Sequence, residues 1–495
     1  MTRADFIVVG AGSAGCVLAA ELARREAGSV LVLEAGPSDR HPLVSIPFGL
    51  VWLLKSSRDW QFKTTPQEAA GGRQIAVPRG RMVGGSGSIN SMVWFRGRKD
   101  DFDNWKIPGW SFDDVAPAFE AVENELKPTP FTGGHPLSQA LAKVFPETTP
   151  SPEVESAGVF SHNMINKSRN SAAKAFLHQQ PTVSIRTNAH VDRVLWTGDK
   201  ATGVVLADGA EICANKGVIL SAGSIASPAI LMRSGIGAKE DLAKFDIDVR
   251  HDAPEVGANL HDHPGVGLHF EGPATGYGLE LRQWPNWAFA PFAYAATRTG
   301  RLTSPTCEPG MFFNARGTDA KPDVQTHFIP FFLAHSGSRY QRKSGYFADV
   351  CLSRPKSRGQ LRLASKDPNE APLIDLGLLR DESDLDTMAA GLTRLRTLLQ
   401  DADLGPRRGT EVWPGPAVDG EALRDYIRNS CGTAYHPVGT LELGKVVTQR
   451  LQIAGTEGLW AADASVMPAV TSANTNAPSM MIGWKGAEFI AKDAA

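Results

Sequence analysis

Residues 5–36 read DFIVVGAGSAGCVLAAELARREAGSVLVLEAG. Phe6 to Val9 is a short apolar, β-branched run suited to a buried parallel strand, and it leads straight into Gly10, Gly12 and Gly15 at the spacing G-x-G-x-x-G. The first glycine permits a tight turn, the second lets the backbone approach a pyrophosphate, and the third lets the next helix pack on the strand. That helix is expected over Ala14 to Glu26, and its N-terminus offers free N–H groups and a positive dipole end to a phosphate. A second strand, Val30 to Leu33, ends at Glu34, nineteen residues past the third glycine, where a carboxylate can accept hydrogen bonds from a ribose hydroxyl pair. Strand, glycines, helix, strand and acid together imply a bound dinucleotide. A plain glycine-rich turn leaves the acid unexplained.

The rest of the composition narrows the class. A chain of 495 residues exceeds one ordinary core, so two domains or one domain with large insertions are expected. With 51 basic against 53 acidic residues and no long run of one charge, nucleic acid is disfavoured as a partner. No apolar stretch reaches the roughly 18 residues a bilayer span needs. The first strand starts by Phe6, which argues against a secretory signal and for a cytoplasmic protein. Cys16, Cys213, Cys307, Cys351 and Cys431 are far apart with no C-x-x-C among them, which disfavours an iron–sulfur cluster, a c-type haem and a vicinal redox disulfide. Their odd number suits a reducing compartment.

From Arg40 to Thr65 the pattern loosens into an excursion. Pro78 to Gly97, PRGRMVGGSGSINSMVWFRG, then combines five glycines and three serines in a loop whose backbone must lie flat against something, with Asn90 and Ser91 opening a short helix. Apolar and aromatic residues flank those glycines, which is not linker composition. Gly80-Arg81-x-Val83-Gly84-Gly85-Ser86-Gly87-x-Ile89-Asn90, with Phe95-Arg96-Gly97 and Asp101-Phe102-x-x-Trp105 behind it, resembles the first signature of the glucose-methanol-choline (GMC) flavoprotein oxidoreductases. Gly223 to Gly237, GSIASPAILMRSGIG, resembles the second signature throughout and follows the strand Val218 to Ser221. Val256 to Pro264 resembles the family's G-x-N-L-x-D-H-P loop, and the likeness runs from residue 5 to the C-terminus.

The resemblance implies an α/β fold, α+β overall, with a Rossmann-like FAD-binding domain that is discontinuous in sequence and a substrate domain built on an antiparallel sheet flanked by helices. The FAD-binding domain is expected from residues 1–40, 76–99, 181–268 and 425–495, and the substrate domain from 41–75, 100–180 and 269–424. Trp105 to Lys127 reads as an amphipathic helix and Pro128 to Pro152, with six prolines, as a loop. That loop is shorter than is usual in the family, so the lid over the pocket is expected to be reduced. Val183 to Asp208 alternates around a Gly-Asp turn, as hairpin strands do. Gln325 to Leu333 and Phe347 to Leu352 read as strands. Leu378 to Leu399 reads as a helix with Leu385, Met388, Leu392, Leu395 and Leu399 on its core face.

The last seventy residues hold the candidate chemistry. His436 precedes Pro437, which restricts where its ring can point, and the GMC pattern H-P-x-G-T falls on His436 to Thr440. The resemblance puts the second active-site position at Asn474 and sets Asp463 and Ala464 against the flavin's ribityl and pyrophosphate. Thr471 to Pro478 leads into a helix with Met481, Trp484, Ala487 and Ile490 on its buried side and Pro478 at its first position; Thr475 and Asn476 join the cofactor set, with N-capping the bland alternative for Asn476. The remaining cofactor residues implied are Gly10, Gly12, Ser13, Ala14, Gly15, Glu34 and Ala35 in the fingerprint; Arg81, Val83, Gly85, Ser86, Ser88, Asn90, Ser91, Met92 and Val93 in the second loop; Val191 beside the adenine; and Ala222, Gly223 and Ser227 at the second signature. Some family members attach FAD through a histidine where this chain has Ile89, so the FAD is expected to be non-covalent.

The implied reaction is oxidation of an alcohol to the aldehyde: His436 takes the hydroxyl proton, Asn474 orients the oxygen and hydride passes to flavin N5, with O2 or another electron acceptor regenerating the cofactor. The substrate is a small alcohol, expected to be primary and aromatic or furanic because Phe312, Phe313, Phe328, Phe331 and Phe332 lie on strands that could line the pocket; core packing is an equal alternative for each. Two other classes fit parts of the pattern. A non-redox flavoprotein similar to the GMC-like hydroxynitrile lyases would keep FAD and the histidine, and an NAD-dependent dehydrogenase would use the first fingerprint for nicotinamide. His261-x-His263 with Asp262 invites a metal reading, but no third ligand stands out and a loop beside the flavin accounts for these residues better, so no metal is expected. Asp381, Glu382, Asp384 and Asp386 are expected to form a solvated face at a helix N-terminus.

Overall fold

The computed structural model describes residues 3–272, 275–278, 280–331 and 343–494. The strands that build the site are, in chain order, β1 (Arg3–Val9), β2 (Val30–Leu33), β3 (Ser156–Val159), β4 (Ser184–Arg186), β5 (Val191–Thr197), β6 (Lys200–Leu206), β7 (Glu211–Leu220), β8 (Pro264–Glu271), β9 (Pro309–Phe313), β10 (Val324–Ile329), β11 (Gly345–Leu352), β12 (Thr410–Trp413), β13 (Gly432–Thr433) and β14 (Leu459–Ala461). The helices needed are α1 (Ser13–Arg24), α2 (Phe112–Leu126), α3 (Gly223–Arg233), α4 (Trp284–Thr297), α5 (Glu382–Asp401), α6 (Gly420–Ser430) and α7 (Asn476–Ala494).

The first sheet is seven-stranded, in the order β4-β2-β1-β7-β6-β5, with β14 on the far half of β7. Its centre is parallel: Phe6 to Val9 pairs with Val30 to Leu33 on one side and with Gly217 to Leu220 on the other. These strands are buried on both faces, which is why they read as unbroken Val, Ile and Leu runs instead of alternating. Helix α1 covers one face and is covered in turn by α7. The two helices meet so closely that a Cβ on Gly483 would lie 2.4 Å from the Ala14 carbonyl oxygen. The second sheet is also seven-stranded and antiparallel, in the order β12-β8-β11-β10-β9-β3, with β13 on β8. Helix α5 packs behind it, and its Leu385, Met388, Leu392, Leu395 and Leu399 are all buried. A Rossmann-like layer beside an antiparallel sheet with helices is the expected fold class.

Several local expectations are corrected. Helix α2 starts at Phe112, not Trp105, because Ser111 and Asp114 form a reciprocal capping box there. The proline-rich stretch 128–152 holds a short helix, Pro136–Leu141, with Pro136 in its first turn and Leu137 and Leu141 buried. No helix opens at Asn90: a 3-10 turn covers Gly85–Ser88, and the Asn90 side chain accepts from Met92 N–H and Arg169, a local bond that competes with helix formation. Helix α5 starts at Glu382 because the Asp381 carboxylate takes the Ser383 N–H. The acidic cluster is therefore not one solvated face. Asp384 is buried and accepts from the Lys356 and Ser357 N–H groups, while Glu382 and Asp386 pair with Arg424. Helix α7 begins at Asn476, which puts Pro478 at the third position, still in the turn where N–H groups lack partners. The strand expected to run to Leu333 ends at Ile329, and Phe332 and Leu333 lie outside the described residues.

Candidate active site

The fingerprint turn is made by contact, not by flexibility. Gly10 sits at φ +100°, where a Cβ would press within 2.5 Å of the Ser221 carbonyl oxygen at the end of β7, and a Cβ on Gly15 would lie 2.1 Å from the Gly10 carbonyl oxygen. The glycine-rich loop 80–97 lies on this turn: Gly84 N–H donates to the Ala11 carbonyl at 2.7 Å, and a Cβ on Gly85 would stand 2.7 Å from the Gly12 Cα. At Gly12 and Gly223, by contrast, a Cβ would meet nothing closer than 3.8 Å, so the chain leaves open space beside bare backbone at two helix starts. Glu34 points into the same space. Its carboxylate accepts from Ala11 N–H at 2.9 Å and Gly36 N–H at 2.8 Å, and burial lifts its pKa to about 7 against the pull of those two donors.

The C-terminal segment closes the space from the other side. Asp463, following β14, accepts from Gly223 N–H at 2.8 Å and from Ser227 Oγ at 2.6 Å, tying β14 to the start of α3. Asn476 accepts from Ser13 Oγ at 2.7 Å, which joins the first turns of α7 and α1, so the side chain bridges helices and does not cap one. Its Nδ2 is buried with no partner among the described residues. An orphaned amide donor, two glycines with room beside them and converging helix N-termini fit an anionic dinucleotide. The space belongs to one continuous cavity of about 1730 Å3 that runs from Glu34 and Val191 to His436 and on to an aromatic mouth.

At the inner end of this cavity the two residues expected to carry the chemistry meet, although 37 residues lie between them. His436 Nε2 stands 3.2 Å from Asn474 Nδ2. Asn474 is fixed by Gln325, whose Nε2 donates to its Oδ1 at 3.0 Å, so its amide N–H group is the free end. His436 is set by its backbone. Its N–H donates to both Asp262 oxygens, at 2.9 and 3.0 Å, and Thr433 hydroxyl donates to the same carboxylate. Ser224 donates to the Pro437 carbonyl at 2.6 Å, which straps the H-P-x-G-T turn to α3. Burial pulls the His436 pKa well below the ordinary histidine range, and His263, His327 and Arg79 push the same way. Burial raises Asp262 to about 6 against the bonds from Thr433 and His436.

Of the residues expected from sequence, His436, Asn474, Gly10, Gly12, Ser13, Ala14, Glu34, Ala35, Gly85, Ser86, Asn90, Ser91, Met92, Val93, Val191, Ala222, Gly223, Asp463, Ala464, Thr475 and Asn476 line the cavity. Gly15, Arg81, Val83, Ser88 and Ser227 stand behind that wall: Ser88 hydroxyl donates to the Val83 carbonyl, and Arg81 lies over the Trp60 ring. The histidines of the 261–263 loop are held by bonds within the chain. His261 Nδ1 engages the Asn259 carbonyl, its Nε2 accepts from Val470 N–H at 3.0 Å, and His263 Nδ1 engages the Leu352 carbonyl. Of the described phenylalanines expected at the pocket, Phe331, just past the end of β10, lines the cavity, and Phe347 on β11 joins it. Phe312 packs on Phe95, Phe328 on Tyr346, and Phe313 under Arg394. The aromatic mouth is instead Phe48, Trp52, Trp284 and Trp287, which have no periodicity that announces them. His327, Asp349 and Cys351 also line the cavity, and Gln325 stands behind Asn474, to which it donates. Their available signal was polar residues inside strands that must be buried.

A dinucleotide cradle opening onto a histidine–asparagine pair defines a flavin-dependent oxidoreductase site. The chain belongs to the GMC oxidoreductase family, whose model matches residues 4–265 and 355–483. It is 35% identical over 528 aligned positions to an alcohol dehydrogenase [acceptor] of Pseudomonas putida, across 99% of this chain and 96% of that protein. It is 34% identical to an oxygen-dependent choline dehydrogenase of Klebsiella pneumoniae, across 98% and 95%. The structure superposes on pyridoxine 4-oxidase from Mesorbium loti with a TM-score of 0.86 at 25% identity, covering 98% of each chain. The protein is thus an FAD-dependent oxidoreductase acting on the CH–OH group of alcohols. No helix among the described residues is long and apolar enough to cross a membrane.

Proposed function

We propose that this chain oxidises a small primary alcohol, aromatic or furanic, to its aldehyde, with His436 as the base. The 3.2 Å approach of His436 Nε2 to Asn474 Nδ2 at the inner end of the cavity carries this reading. A substrate hydroxyl between them donates its proton to His436, which burial keeps neutral and ready to accept. Asn474, held by Gln325, directs its amide N–H at the oxygen as negative charge develops there. Bound FAD supplies the acceptor for the hydride leaving the hydroxyl-bearing carbon. The residues that would hold it are the glycines and Glu34 of the fingerprint, the loop Gly85 to Val93, Asp463 and the start of α7. The aromatic mouth formed by Phe48, Trp52, Trp284, Trp287 and Phe331 favours a planar apolar substituent on the alcohol.

FAD is held without a covalent bond in this reading: Ile89 is packed against Val44, Leu53 and Met82 and offers no nucleophilic atom. We take the FAD-binding and substrate-binding domains to follow the two sheets, between which the chain crosses before and after β3, before β8 and between β13 and β14. Five unpaired cysteines favour the cytoplasm. The decisive experiment is a substrate screen on the purified yellow protein, with oxygen and an artificial acceptor side by side and an anaerobic arm. Bleaching of the flavin by aryl or furanic alcohols is expected. A flavin that no alcohol bleaches would transfer the protein to the lyase reading, and flavin retained by the protein after acid precipitation would refute non-covalent binding.

A further inference from the structure

Beside Asn474, two neighbouring strands carry polar groups of which the reaction above uses only Gln325. Gln325 and His327 share one face of β10, and Asp349 and Cys351 share the matching face of β11, with Gln325 registered opposite Cys351. Asp349 gathers this face. It accepts from the His327 backbone N–H at 2.6 Å, lies 3.2 Å from His327 Nδ1, and accepts from Cys351 Sγ at 3.2 Å. With Nδ1 turned to the carboxylate, His327 Nε2 has no well-formed hydrogen bond among the described residues, only the nearby Asn474 side chain, although the residue is 9% exposed and lines the cavity. A buried imidazole nitrogen with nothing to bond is costly unless a ligand completes it.

The surroundings of the two cavity histidines differ in sign. Burial pulls His327 down, but the Asp349 charge and hydrogen bond, helped by Asn474, outweigh it and leave its pKa raised. His436, without a carboxylate on its ring, goes the other way. The titratable groups around His327 are Asp349 and Cys351 on β11, together with His263 and His436. Two groups over one cavity pushed apart in this manner have the character of an acid and a base.

We propose that His327 is a further catalytic residue: its Nε2–H, oriented by Asp349 as a positioning residue, donates a hydrogen bond to the substrate oxygen as alkoxide charge develops, beside Asn474. This rests on His436 being the base. The hydroxyl proton passes to His436 Nε2 and His327 keeps its own, so no additional oxidant, reductant or proton acceptor enters. Asp349 bonds the Nδ1–H and thereby keeps the proton-bearing Nε2 facing the oxygen.

The test compares FAD-loaded His327→Gln and Asp349→Asn with the parent across pH. Removing an oxyanion donor typically costs about 10²–10³ in kcat, so a loss of about 10²-fold is expected in His327→Gln with KM little changed. Asp349→Asn should lower kcat and move its alkaline fall to lower pH, because the imidazolium has lost its counter-charge. Nitrogen-15 histidine NMR should show the His327 titration moving to lower pH in Asp349→Asn, a readout that needs no turnover. A His327→Gln enzyme within about twofold of parent kcat overturns the proposal. So does an unmoved alkaline limb in Asp349→Asn, or a loss confined to flavin content and melting temperature. His436→Ala separates the two readings: residual parent-like turnover there sinks the base assignment, whereas an inactive His436→Ala beside an active His327→Gln sinks only this inference.

Discussion

The proposed role of His436 as a base follows from a position that denies it a proton. Buried at the cavity floor and flanked by His263, His327 and Arg79, its ring has a pKa well below the ordinary histidine range. The sign of the pH effect follows. The neutral, proton-accepting form persists as the pH falls through 6.5, so kcat/KM should hold level to below the usual histidine titration and decline only in more acid solution. A pH–rate profile with its acid limb at or above 6.5 would contradict this origin. The unfolded chain binds the same proton more readily, so this group weakens the fold as acid rises. Replacing His436 by Ala should lower turnover by about 10²–10⁴-fold while the bound flavin spectrum stays intact. Loss of flavin would instead make the ring a structural part of the cradle. Asp262 does not touch that ring. Its contact is the His436 backbone N–H, so it sets the turn from which the imidazole projects.

Two loops and two helices converge at the cofactor end, and each junction depends on a missing side chain. Gly85 lies at φ +52° with the Gly12 Cα 2.7 Å from where its Cβ would be, so Gly85→Ala meets both backbone strain and a clash with the fingerprint turn. The expected result is loss of FAD affinity, read by equilibrium dialysis, with thermal stability reduced by about 1–3 kcal/mol. Gly483 tests the α1–α7 contact. Alanine in a helix interior ordinarily gains up to about 1 kcal/mol over glycine, yet here the added Cβ would stand 2.4 Å from the Ala14 carbonyl oxygen, and the Ala14 backbone lies in the phosphate turn. Gly483→Ala is therefore expected to lower the melting temperature. A rise would show that the helices stand further apart. The corrections to α2 and α5 share one cause: apolar period runs on beyond a helix, whereas a capping side chain such as Ser111 or Asp381 decides where hydrogen bonding starts.

Across the molecule, the two sheets are pinned by Arg354, just past β11. Its guanidinium bonds Asp100 and Asp101 and the Ser472 hydroxyl, while Asp101 also accepts from Ser472 N–H at 2.7 Å and Arg98 N–H at 2.7 Å. Ser472 is two residues before Asn474, so the bond ties the second sheet to the segment carrying the amide that faces His436. Arg354→Met leaves Asp101 buried without its cation and should cost about 2–3 kcal/mol, less than a fully buried pair because the arginine is partly exposed. Turnover should fall more than FAD affinity does; equal falls would mean that Arg354 serves folding alone. The fingerprint and the two glycine-rich signatures could be read from residues 5–36, 80–97 and 223–237, because turns and close backbone approaches are local constraints that demand particular residues at short spacings, whereas the fold class and the pairing of His436 with Asn474 followed from the family resemblance those signatures carry. The rest depended on which faces meet. Alternation along β10 and β11 told that one face is buried but not that His327 and Asp349 face a cavity while Phe328 packs on Tyr346, since strand register joins residues more than twenty apart. The mouth formed by Phe48, Trp52, Trp284 and Trp287 comes from chain segments with no shared pattern, and only their packing together makes them one wall.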